Sequence, residues 1–460
     1  MWRRGGGIPA LPRDWGDAGA LVPVAGAAPR LERPIVTDAT VNGAGSDPQS
    51  PSRHQRGRFI SGLGIAQIVS WGSLYYSFPL IAGPMGGALG QSKPALYGAA
   101  TLGMLVSGVA SFPIGAAIDK GHGRLIMTLG SVLGGALLMG WALVSSLWAF
   151  YLLFAAVGLA QAMTMYEPAF AVVARRYGLE SRRGITAITL WGGFASTVFI
   201  PLTQWLLDHV GWRDALVVLG ACNLVVCVAL HGWLIDPARD APRAAAAGGE
   251  GDAQPLAGAA AVRWVIRRPA FWGLLVAFTL YYGMFVGLTF HLYPLLIERG
   301  FEISTIIAAL AIIGPAQVAG RIAMWVWARE RSVRTIGLAA ALGFPVCLLA
   351  LMLLPRSFAS VALFAAIYGA ANGVMTIVRG LVVPELLTRD AYGAINGAMT
   401  LPAKLAAAIA PAATAGLWAL FGSYDGVLAA ALASSLLGAL AFAFASATGG
   451  RKPLPAASQG

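Results

Sequence analysis

The sequence predicts an all-α membrane protein with twelve transmembrane helices in two six-helix bundles. Three observations support this prediction. Hydrophobic residues make up 57% of the 460 residues and charged residues only 11%, whereas soluble domains carry about 25% charged residues. Apolar segments of roughly 20 residues, the length that crosses a bilayer as a helix, follow one another from residue 59 onward. One longer polar segment, residues 235–268, separates six of these segments from six more.

The first 58 residues differ from the rest of the chain. Residues 1–58 contain no sustained apolar segment and are rich in Gly, Pro, Arg, Asp and Ser. We interpret them as a disordered cytoplasmic extension, because they lack the apolar core of a signal peptide. The predicted transmembrane helices then cover residues 59–82, 94–118, 124–145, 147–174, 184–208, 213–234, 269–296, 302–328, 334–354, 357–383, 392–421 and 424–447.

The polar segment in the middle of the chain divides the helices into two domains. It contains "DPARDAPRAAAAGGEGDAQP", a composition typical of a flexible linker. We therefore expect an N-terminal six-helix bundle at residues 59–234, a cytoplasmic central loop at residues 235–268 and a C-terminal six-helix bundle at residues 269–447. Residues 448–460 are expected to form a cytoplasmic tail.

The distribution of Lys and Arg predicts the orientation in the membrane. With the N-terminus placed in the cytoplasm, 26 of the 32 basic residues lie on the cytoplasmic side and four lie in outer loops. Cytoplasmic loops of membrane proteins carry such an excess of basic residues. The bias explains the net charge of +12 without a nucleic-acid partner. It predicts a multi-pass protein of the inner (plasma) membrane with both termini in the cytoplasm.

A cluster of charge lies in the short turn between the second and third predicted helices, in "GAAIDKGHGR" at residues 115–124. Gly115 allows another helix to approach closely. Asp119 can meet a helix N-terminus and a nearby Arg or Lys, and Lys120 and Arg124 belong to the same charged cluster. A charged contact of this kind can hold one conformation and release another, so these four residues are candidates for a conformational switch.

The same four residues resemble the cytoplasmic loop motif of the major facilitator superfamily. In that motif a Gly, three residues, an Asp and a basic residue precede a second Gly and a second basic residue, and here His122 stands in place of the second Gly. The segment "YYSFPL" at residues 75–80 of the first predicted helix is also weakly similar to "HLYPLL" at residues 291–296 of the seventh. This repeat indicates that the two halves of the chain are similar. The resemblance implies the major facilitator fold and a mid-membrane substrate site between the halves.

Two basic residues fall inside predicted helices, where charge is costly and marks functional sites. Lys404 lies in the eleventh helix and shares one face with Asn396 and Thr400, because the three residues are spaced by four. A Lys at this depth must face water, a partner or an anionic substrate. Arg321 lies in the eighth helix, one turn after Gln317. The alternative for Arg321 is that it belongs to the basic loop that follows it.

The pair of an Arg in the eighth helix and a Lys in the eleventh resembles the anion-binding pair of the oxalate/formate exchangers. Gln317–x3–Arg321 is similar to the Asp–x3–Arg of monocarboxylate porters, with Gln in place of Asp. "RRGITA" at residues 182–187 is similar to the segment before their fifth helix, whereas their acidic first-helix motif is absent. The resemblance implies a carboxylate substrate held by charge-assisted hydrogen bonds. The missing Asp argues against proton symport through position 317.

Glu167, in "MTMYEPAFAVV" of the fourth predicted helix, is the candidate for proton coupling, because a buried carboxyl group can take up a proton. The alternative is a structural Glu that pairs with Arg175, Arg176 or a backbone amide. Pro168, which follows Glu167 directly, would loosen the helix at this point.

Uncharged side chains complete the candidate substrate site. Tyr75 and Tyr282 could donate hydrogen bonds to a carboxylate, although aromatic residues in membrane helices more often pack or mark the interface. Asn372 and Asn396 are further candidates. Arg379 shares a stripe with Asn372, but its position near the cytoplasm favours a role in topology.

The sequence therefore predicts a monomeric secondary transporter for a small organic anion, such as a monocarboxylate. A drug or metabolite exporter, whose central cavity would be mostly aromatic, and a membrane receptor without flux remain alternatives. The sequence contains no HExxH, no phosphate-binding Gly–Lys loop and no Gly-x-Ser-x-Gly, so we expect no enzymatic activity and no cofactor. Cys222, Cys227 and Cys347 lack metal-site spacing and are expected to be buried apolar residues.

Overall fold

The computed structural model describes residues 53–238, 256–327 and 330–450 together with residue 454, and within these residues the chain contains helices and no β-strand. The helices are α1 (Arg53–Trp71), α2 (Ser77–Leu89), α3 (Lys93–Ala117), α4 (Gly123–Ala142), α5 (Leu147–Thr164), α6 (Tyr166–Tyr177), α7 (Ser181–Gly193), α8 (Ala195–Cys222), α9 (Ala229–Leu234), α10 (Gly258–Val265), α11 (Pro269–Glu298), α12 (Ile303–Trp327), α13 (Val333–Leu353), α14 (Phe358–Val382), α15 (Tyr392–Phe421) and α16 (Tyr424–Thr448).

Nine helical stretches in the described part of the chain are long and apolar enough to cross a membrane. Two of them, Pro94–Ala142 with 49 residues and Ser181–Leu234 with 54, are interrupted at glycines with positive φ angles. These are Gly121, with φ of 99°, and Gly211, with φ of 79°. Because an α-helix cannot continue through a left-handed residue, each of these stretches consists of two helical pieces.

Serine residues begin four of the helices. The side chain of Ser92 accepts a hydrogen bond from the backbone N–H of Ala95 at the start of α3. Ser146, Ser332 and Ser357 cap α5, α13 and α14 in the same way. A serine in this position satisfies a backbone donor that would otherwise have no partner. These local signals explain why α5, α13 and α14 begin within one residue of the predicted starts. Helix α5, however, ends at Thr164, before the predicted end at residue 174.

The first helix begins earlier than the sequence predicts. We expected residues 53–58 to belong to a disordered extension, but α1 begins at Arg53. Arg56 forms an ion pair with Glu180, and its guanidinium lies 5.2 Å from the ring centre of Tyr177. These contacts with the segment after α6 explain why the helix extends beyond its apolar part. Residues 1–52 of the predicted extension lie outside the described residues.

The predicted central loop also contains regular structure. Residues 258–265 form the short helix α10, in which Ala261 and Val265 are buried. The flexible-linker interpretation concerns residues 236–255, whereas the loop predicted at residues 235–268 also contains this short helix. Its alanines suit a helix as well as a linker, and its apolar residues supply a face that packs onto the protein. Residues 239–255 of the same loop lie outside the described residues.

The buried core is continuous at one end of the helix assembly and divided at the other. One cluster of buried apolar side chains contains only residues between 66 and 227. The second cluster joins residues of the C-terminal half to residues of the N-terminal half such as Ile118, Phe170 and Ile185. Ile118 adjoins the turn at Gly121, so the two halves pack together at that end, which we call the Gly121 end.

Candidate functional site

The two halves are joined at the Gly121 end through Asp119. Its carboxylate accepts hydrogen bonds from the backbone N–H groups of Gly393 and Ala394, each at 2.8 Å. These groups lie in the first turn of α15, whose preceding residue Ala391 provides no side-chain cap and has a positive φ of 50°. Asp119 therefore caps a helix of the other half, and its negative charge is favourable at this N-terminus. We call this contact the Asp119 latch.

The Asp119 carboxyl group lies in the turn between α3 and α4, where burial raises its pKa to about 6 and the two backbone donors, Gly393 and Ala394, oppose the rise. Each of its two oxygens accepts a backbone N–H, an arrangement that favours the ionised form. The latch is therefore a pair of charge-assisted hydrogen bonds, which are stronger than neutral ones.

The basic residue beside Asp119 is Arg175, and not Lys120 or Arg124, which lie close to Asp119 in the sequence. The Arg175 guanidinium donates a hydrogen bond to the backbone carbonyl of Asp119, and its Nη2 would lie 3.3 Å from a Cβ atom at Gly121. Lys120 and Arg124 are exposed, and neither makes a hydrogen bond or ion pair within the described residues. In this conformation the nearby basic residue expected beside Asp119 is therefore Arg175.

Helices α3 and α15 touch through their backbones beside the latch. A Cβ atom at Gly115 would lie 2.0 Å from the carbonyl oxygen of Gly393, and one at Gly393 would lie 2.3 Å from that of Gly115. One turn further along, a Cβ atom at Gly397 would lie 2.3 Å from the carbonyl oxygen of Ser111. Only glycine fits at these positions, so the two halves are closed against each other along this line.

Lys404 lies further along the same contact between α3 and α15. Its Nζ donates a hydrogen bond to the hydroxyl of Ser107 on α3, and a Cβ atom at Gly108 would lie 3.3 Å from the Cβ atom of Lys404. The charges of Glu167 and Arg379 act on the Lys404 ammonium. Lys404 thus faces the junction of the two halves and does not point into the surrounding lipid.

Arg321 reaches from α12 toward the N-terminal half and not toward the loop that follows it. The residue is 6% exposed, and its Nε donates to the carbonyl of Gly373 at 3.4 Å. A Cβ atom at Gly193, in the N-terminal half, would lie 2.2 Å from its Nη1. The Arg321 charge also acts on Tyr76 and Tyr166. Arg321 and Lys404 therefore both face the opposite half.

Gln317, one turn before Arg321, contributes its backbone to helix packing. A Cβ atom at Gly373 would lie 2.2 Å from the carbonyl oxygen of Gln317, so α12 and α14 are in close contact here. The Gln317 side chain is half-buried and makes no hydrogen bond within the part of the chain that the structure describes.

Arg379 is a buried cation that the sequence interpretation assigned to topology. It is 7% exposed and donates to the side-chain oxygen of Asn396, to the Asn396 carbonyl at 3.3 Å and to the Thr400 hydroxyl at 3.0 Å. Its guanidinium also lies 5.1 Å from the ring centre of Phe278. The sequence had placed Asn396 and Thr400 on the face of Lys404, but only the tertiary contact between α14 and α15 brings Arg379 to them.

The two asparagines predicted for the substrate site hold other side chains in the C-terminal half. Asn396 accepts from Arg379, as described above, and Asn372 accepts a hydrogen bond from the hydroxyl of Tyr281. Tyr282, the residue next to Tyr281, is half-buried, and the charges of Arg379 and Glu167 act on its hydroxyl. The asparagines therefore support the residues around Arg379 in this conformation.

Glu167 lies immediately after a break in the helix formed by α5 and α6. Helix α5 ends at Thr164 and α6 begins at Tyr166, with Met165 extended at a ψ of −158°. In a continuous helix the Thr164 carbonyl would accept from residue 168, but Pro168 has no N–H. The side chain of Gln67 replaces that donor and bonds the Thr164 carbonyl at 2.7 Å.

The Glu167 carboxylate makes no hydrogen bond or ion pair with any residue that the structure describes. The alternative pairing with Arg175 or Arg176 is therefore not observed. Its charge instead acts on Lys404, Tyr282 and Tyr392. Glu167, at the start of α6, thus belongs to the same polar region as Lys404 and Arg379.

A cavity opens between the two halves beyond Lys404, away from the Gly121 end. Its volume is about 860 Å³, and Tyr75 forms part of its wall. Among the residues that the structure describes, its walls are mainly aromatic or small apolar side chains and include no charged residue. They are formed by Leu74, Tyr75, Phe78, Pro79, Pro94, Tyr97, Gly98, Ala100, Thr101, Gly103, Met104, Phe154, Val157, Gly158, Gln161, Val286, Phe290, Ala407, Ala408, Pro411 and Ala412.

The apolar helices, the closed junction at one end and the cavity between the halves define a multi-pass membrane transporter. The chain belongs to the major facilitator superfamily, whose model matches residues 63–350. Members of this superfamily bind small molecules within the membrane, and they are not enzymes.

Curated relatives of the chain are monocarboxylate transporters. It is 28% identical to rat (Rattus norvegicus) monocarboxylate transporter 13 over 302 residues, which are 63% of this chain and 65% of the relative. It is 35% identical to mouse (Mus musculus) monocarboxylate transporter 11 over 122 residues, which are 25% of this chain and 26% of that relative. The matches thus span from about a quarter to just under two thirds of these relatives. The chain resembles the monocarboxylate branch of the superfamily.

Solved structures of the superfamily share this fold. The human organic anion transporter MFSD10 superposes with a TM-score of 0.65 at 18% identity, covering 86% of this chain and all of that protein. The Escherichia coli fucose:proton symporter FucP, as the N162A variant, superposes with a TM-score of 0.60 at 16% identity, covering 84% and 97% of the two chains. At this level of identity the likeness concerns the fold alone.

Proposed function

We propose that the protein is a secondary active transporter of a small organic anion, such as a monocarboxylate, that works by alternating access across the inner (plasma) membrane. The observation that carries this proposal is the pair of cations that contact the opposite half, Arg321 and Lys404. Arg379, which is bound to Asn396 and Thr400, and the acid Glu167 both act on Lys404. The three positive charges exceed the single negative charge of Glu167, and an anionic substrate would supply a further negative charge.

Arg321 and Lys404 would hold the carboxylate of the substrate. A guanidinium can bind a carboxylate through two parallel hydrogen bonds, and an ammonium adds a compact charge. The hydroxyls of Tyr75 and Tyr282 are further donors near this region, and Gln317, Asn372 and Asn396 would shape the surroundings of the cations. Both cations contact the opposite half in this conformation, so substrate binding would alter the contacts that hold the halves together.

The proposed membrane topology rests on the charge distribution and on the breaks at Gly121 and Gly211. Divided at these glycines, the two longest stretches would supply four crossings. The seven other apolar stretches and the helix from α1 to α2 bring the total to twelve. We propose two six-helix bundles, residues 59–234 and 269–447, joined by the cytoplasmic loop 235–268. The Gly121 end and both termini would then face the cytoplasm.

In this topology the Asp119 latch closes the cytoplasmic side while the cavity lies toward the outer side. Transport would require the latch to open, so that Gly393 moves away from Gly115 and the carboxylate bound near Lys404 reaches the cytoplasm. Lys120 and Arg124 would act in the conformation in which the latch is open. We propose that a single chain completes this cycle as a monomer.

Glu167 is the proposed proton site. Its carboxylate would compete with a substrate carboxylate for the positive region around Lys404. Binding of the anion would therefore favour protonation of Glu167, and the proton and anion would move together. This route replaces the one through position 317, where Gln317 carries no ionisable group.

The cavity favours a second candidate function. Its walls are aromatic and apolar, as expected for a drug or metabolite exporter, and in that case Lys404 would serve only the junction of α3 and α15. Uptake measurements on purified protein in proteoliposomes separate the two functions. Carboxylate uptake that disappears in Lys404→Ala and Arg321→Ala supports the anion transporter. Uptake unaffected by both changes would remove the carboxylate site, and export of cationic dyes without carboxylate flux would establish the exporter.

A further inference from the structure

The shape and chemistry of the cavity restrict the kind of carboxylate that fits it. We infer that the preferred substrate is a monocarboxylate with an aromatic or similarly bulky hydrocarbon body, and not a small acid such as acetate or propanoate. This inference rests on the proposed function, because it takes the carboxylate site for granted. It is carried by the arrangement of the aromatic walls relative to Lys404.

Lys404 lies at the inner boundary of the cavity. Ala407 and Ala408, which line the cavity, follow it on α15 by about one helical turn. Met104, which also lines the cavity, precedes Ser107 on α3 by the same spacing, and Ser107 binds the Lys404 ammonium. A carboxylate held by Lys404 would therefore direct the rest of its molecule toward the cavity.

The walls above Lys404 offer a place for an aromatic ring. Phe78 packs edge-to-face against Tyr97 and Phe154, each with ring centres 5.1 Å apart. Tyr97 in turn meets Phe290 of the other half at 6.4 Å, with the rings nearly perpendicular. Aromatic rings prefer such edge-to-face and offset contacts with one another. The Tyr97–Phe290 contact bridges the two halves, so a ring bound beside it would contact both.

The volume of the cavity excludes a close fit for a small acid. A cavity of about 860 Å³ is typical of sites for drug-sized ligands, which lie mainly against hydrophobic and aromatic side chains. Acetate and propanoate present little apolar surface, so they would leave most of this wall in contact with water. An acid with a hydrocarbon body gains affinity in proportion to the apolar area that it buries.

The test compares two acids that differ by a single phenyl group, propanoate and 3-phenylpropanoate. Their binding to the full chain in lipid nanodiscs is measured by titration calorimetry, with 3-phenylpropan-1-ol as a third probe that lacks the carboxylate. We expect the Kd of 3-phenylpropanoate to be lower than that of propanoate by about tenfold or more. We expect the alcohol to bind at least tenfold more weakly than 3-phenylpropanoate.

Two variants test which residues produce the difference in Kd between the two acids. Phe290→Ala should raise the Kd of 3-phenylpropanoate more than that of propanoate and so reduce the advantage of the phenyl group, whereas Lys404→Gln should weaken both acids. Trp148→Ala is the matched control, because Trp148 is an aromatic residue that is 83% exposed on the surface of α5. It should change neither Kd.

The outcomes distinguish this inference from the proposed function. Equal affinity for the two acids, or a phenyl advantage that survives in Phe290→Ala, would overturn the inference and leave the carboxylate site intact. Equal affinity for the alcohol and 3-phenylpropanoate would show that the cavity binds the hydrocarbon alone, which contradicts the carboxylate site. Absence of binding by all three probes would contradict both proposals.

Discussion

The carboxylate of Asp119 accepts a hydrogen bond from the backbone N–H of Gly393 at 2.8 Å, although the two residues are 274 positions apart in the chain. This bond ties the turn after α3 to the first turn of α15, and therefore ties one half of the protein to the other. A helix N-terminus without its own side-chain cap needs an acceptor. Asp119 supplies it only while the halves are closed at the Gly121 end.

Removal of the Asp119 carboxylate should open this end of the protein. Hydrogen bonds to a charged group contribute about 1.5–3 kcal/mol each, so Asp119→Ala should shift the conformational population more than tenfold. Ser111→Cys, placed in a chain whose three cysteines are replaced, reports the opening because Ser111 is 5% exposed. Its alkylation by a water-soluble maleimide should be faster in Asp119→Ala. Asp214→Ala, which removes an exposed carboxylate, is the control, and equal rates in both variants would refute the latch.

The contact between Gly115 and Gly393 should not tolerate a methyl group. In Gly393→Ala the Cβ atom would lie 2.3 Å from a backbone oxygen of Gly115, so α3 and α15 must separate. We expect a lower melting temperature, on the order of 5 °C, because overpacking costs about 1–3 kcal/mol. Gly416→Ala on the same helix is the matched control, since no atom lies within 4 Å of its Cβ position. An equal melting temperature in the two variants would contradict the close contact.

Gly193 should position Arg321 for the substrate. A Cβ atom at Gly193 would lie 2.2 Å from Nη1 of Arg321, and the flexible guanidinium would move away without loss of the fold. In Gly193→Ala we expect a Kd for 3-phenylpropanoate that is about tenfold higher, with a nearly unchanged melting temperature. Gly283→Ala is the control, because its nearest neighbour, the Cβ of Ala406, lies at an ordinary 3.6 Å. An unchanged Kd in Gly193→Ala would show that Arg321 does not contact the substrate.

The helix bounds followed from the sequence more closely than the contacts between helices did. Long apolar segments with a serine or glycine at their ends define a helix locally, and the eleventh predicted helix coincides with α15 at residues 392–421. The break between α5 and α6 has a local cause in Pro168, which the sequence reveals. Its stabilisation by Gln67, 97 positions away, depends on the tertiary fold and could not be predicted.

For the cations inside the helices, too, the sequence indicates which residues matter but not which residues they contact. The isolated charges of Arg321 and Lys404 stand out in apolar segments, so their importance was visible in the sequence. Arg379 was assigned to topology because it lies near a helix end, and its hydrogen bonds to Asn396 and Thr400 arise only when α14 packs against α15. Spacing along one helix identifies a face, but it does not identify what that face meets.

Arg379 should stabilise the C-terminal half. Arg379→Gln removes the donors to Asn396 and Thr400, and the loss of charge-assisted hydrogen bonds costs about 1.5–3 kcal/mol each. We expect the melting temperature in detergent to fall by roughly 5 °C. Arg356→Gln, which changes an exposed arginine, should leave it unchanged. A stable Arg379→Gln protein that has lost carboxylate binding would instead assign Arg379 to the substrate.

Glu167 should couple anion binding to proton uptake. When a carboxylate binds near Lys404, its negative charge makes protonation of Glu167 more favourable, because two negative charges in one buried region repel each other. Titration calorimetry in buffers of different ionisation enthalpy measures the protons taken up with each anion. We expect uptake of up to one proton in the parent protein and none in Glu167→Gln. Glu302→Gln, at an exposed position, should behave as the parent protein does.

Transport in proteoliposomes gives an independent measure of the same coupling. An inward proton gradient should drive accumulation of 3-phenylpropanoate by the parent protein, since protonated Glu167 no longer repels the anion. In Glu167→Gln the gradient should have no effect, whereas exchange of internal for external anion should continue because the cations that bind the carboxylate remain. Accumulation that still follows the proton gradient in Glu167→Gln would place the proton site elsewhere in the chain.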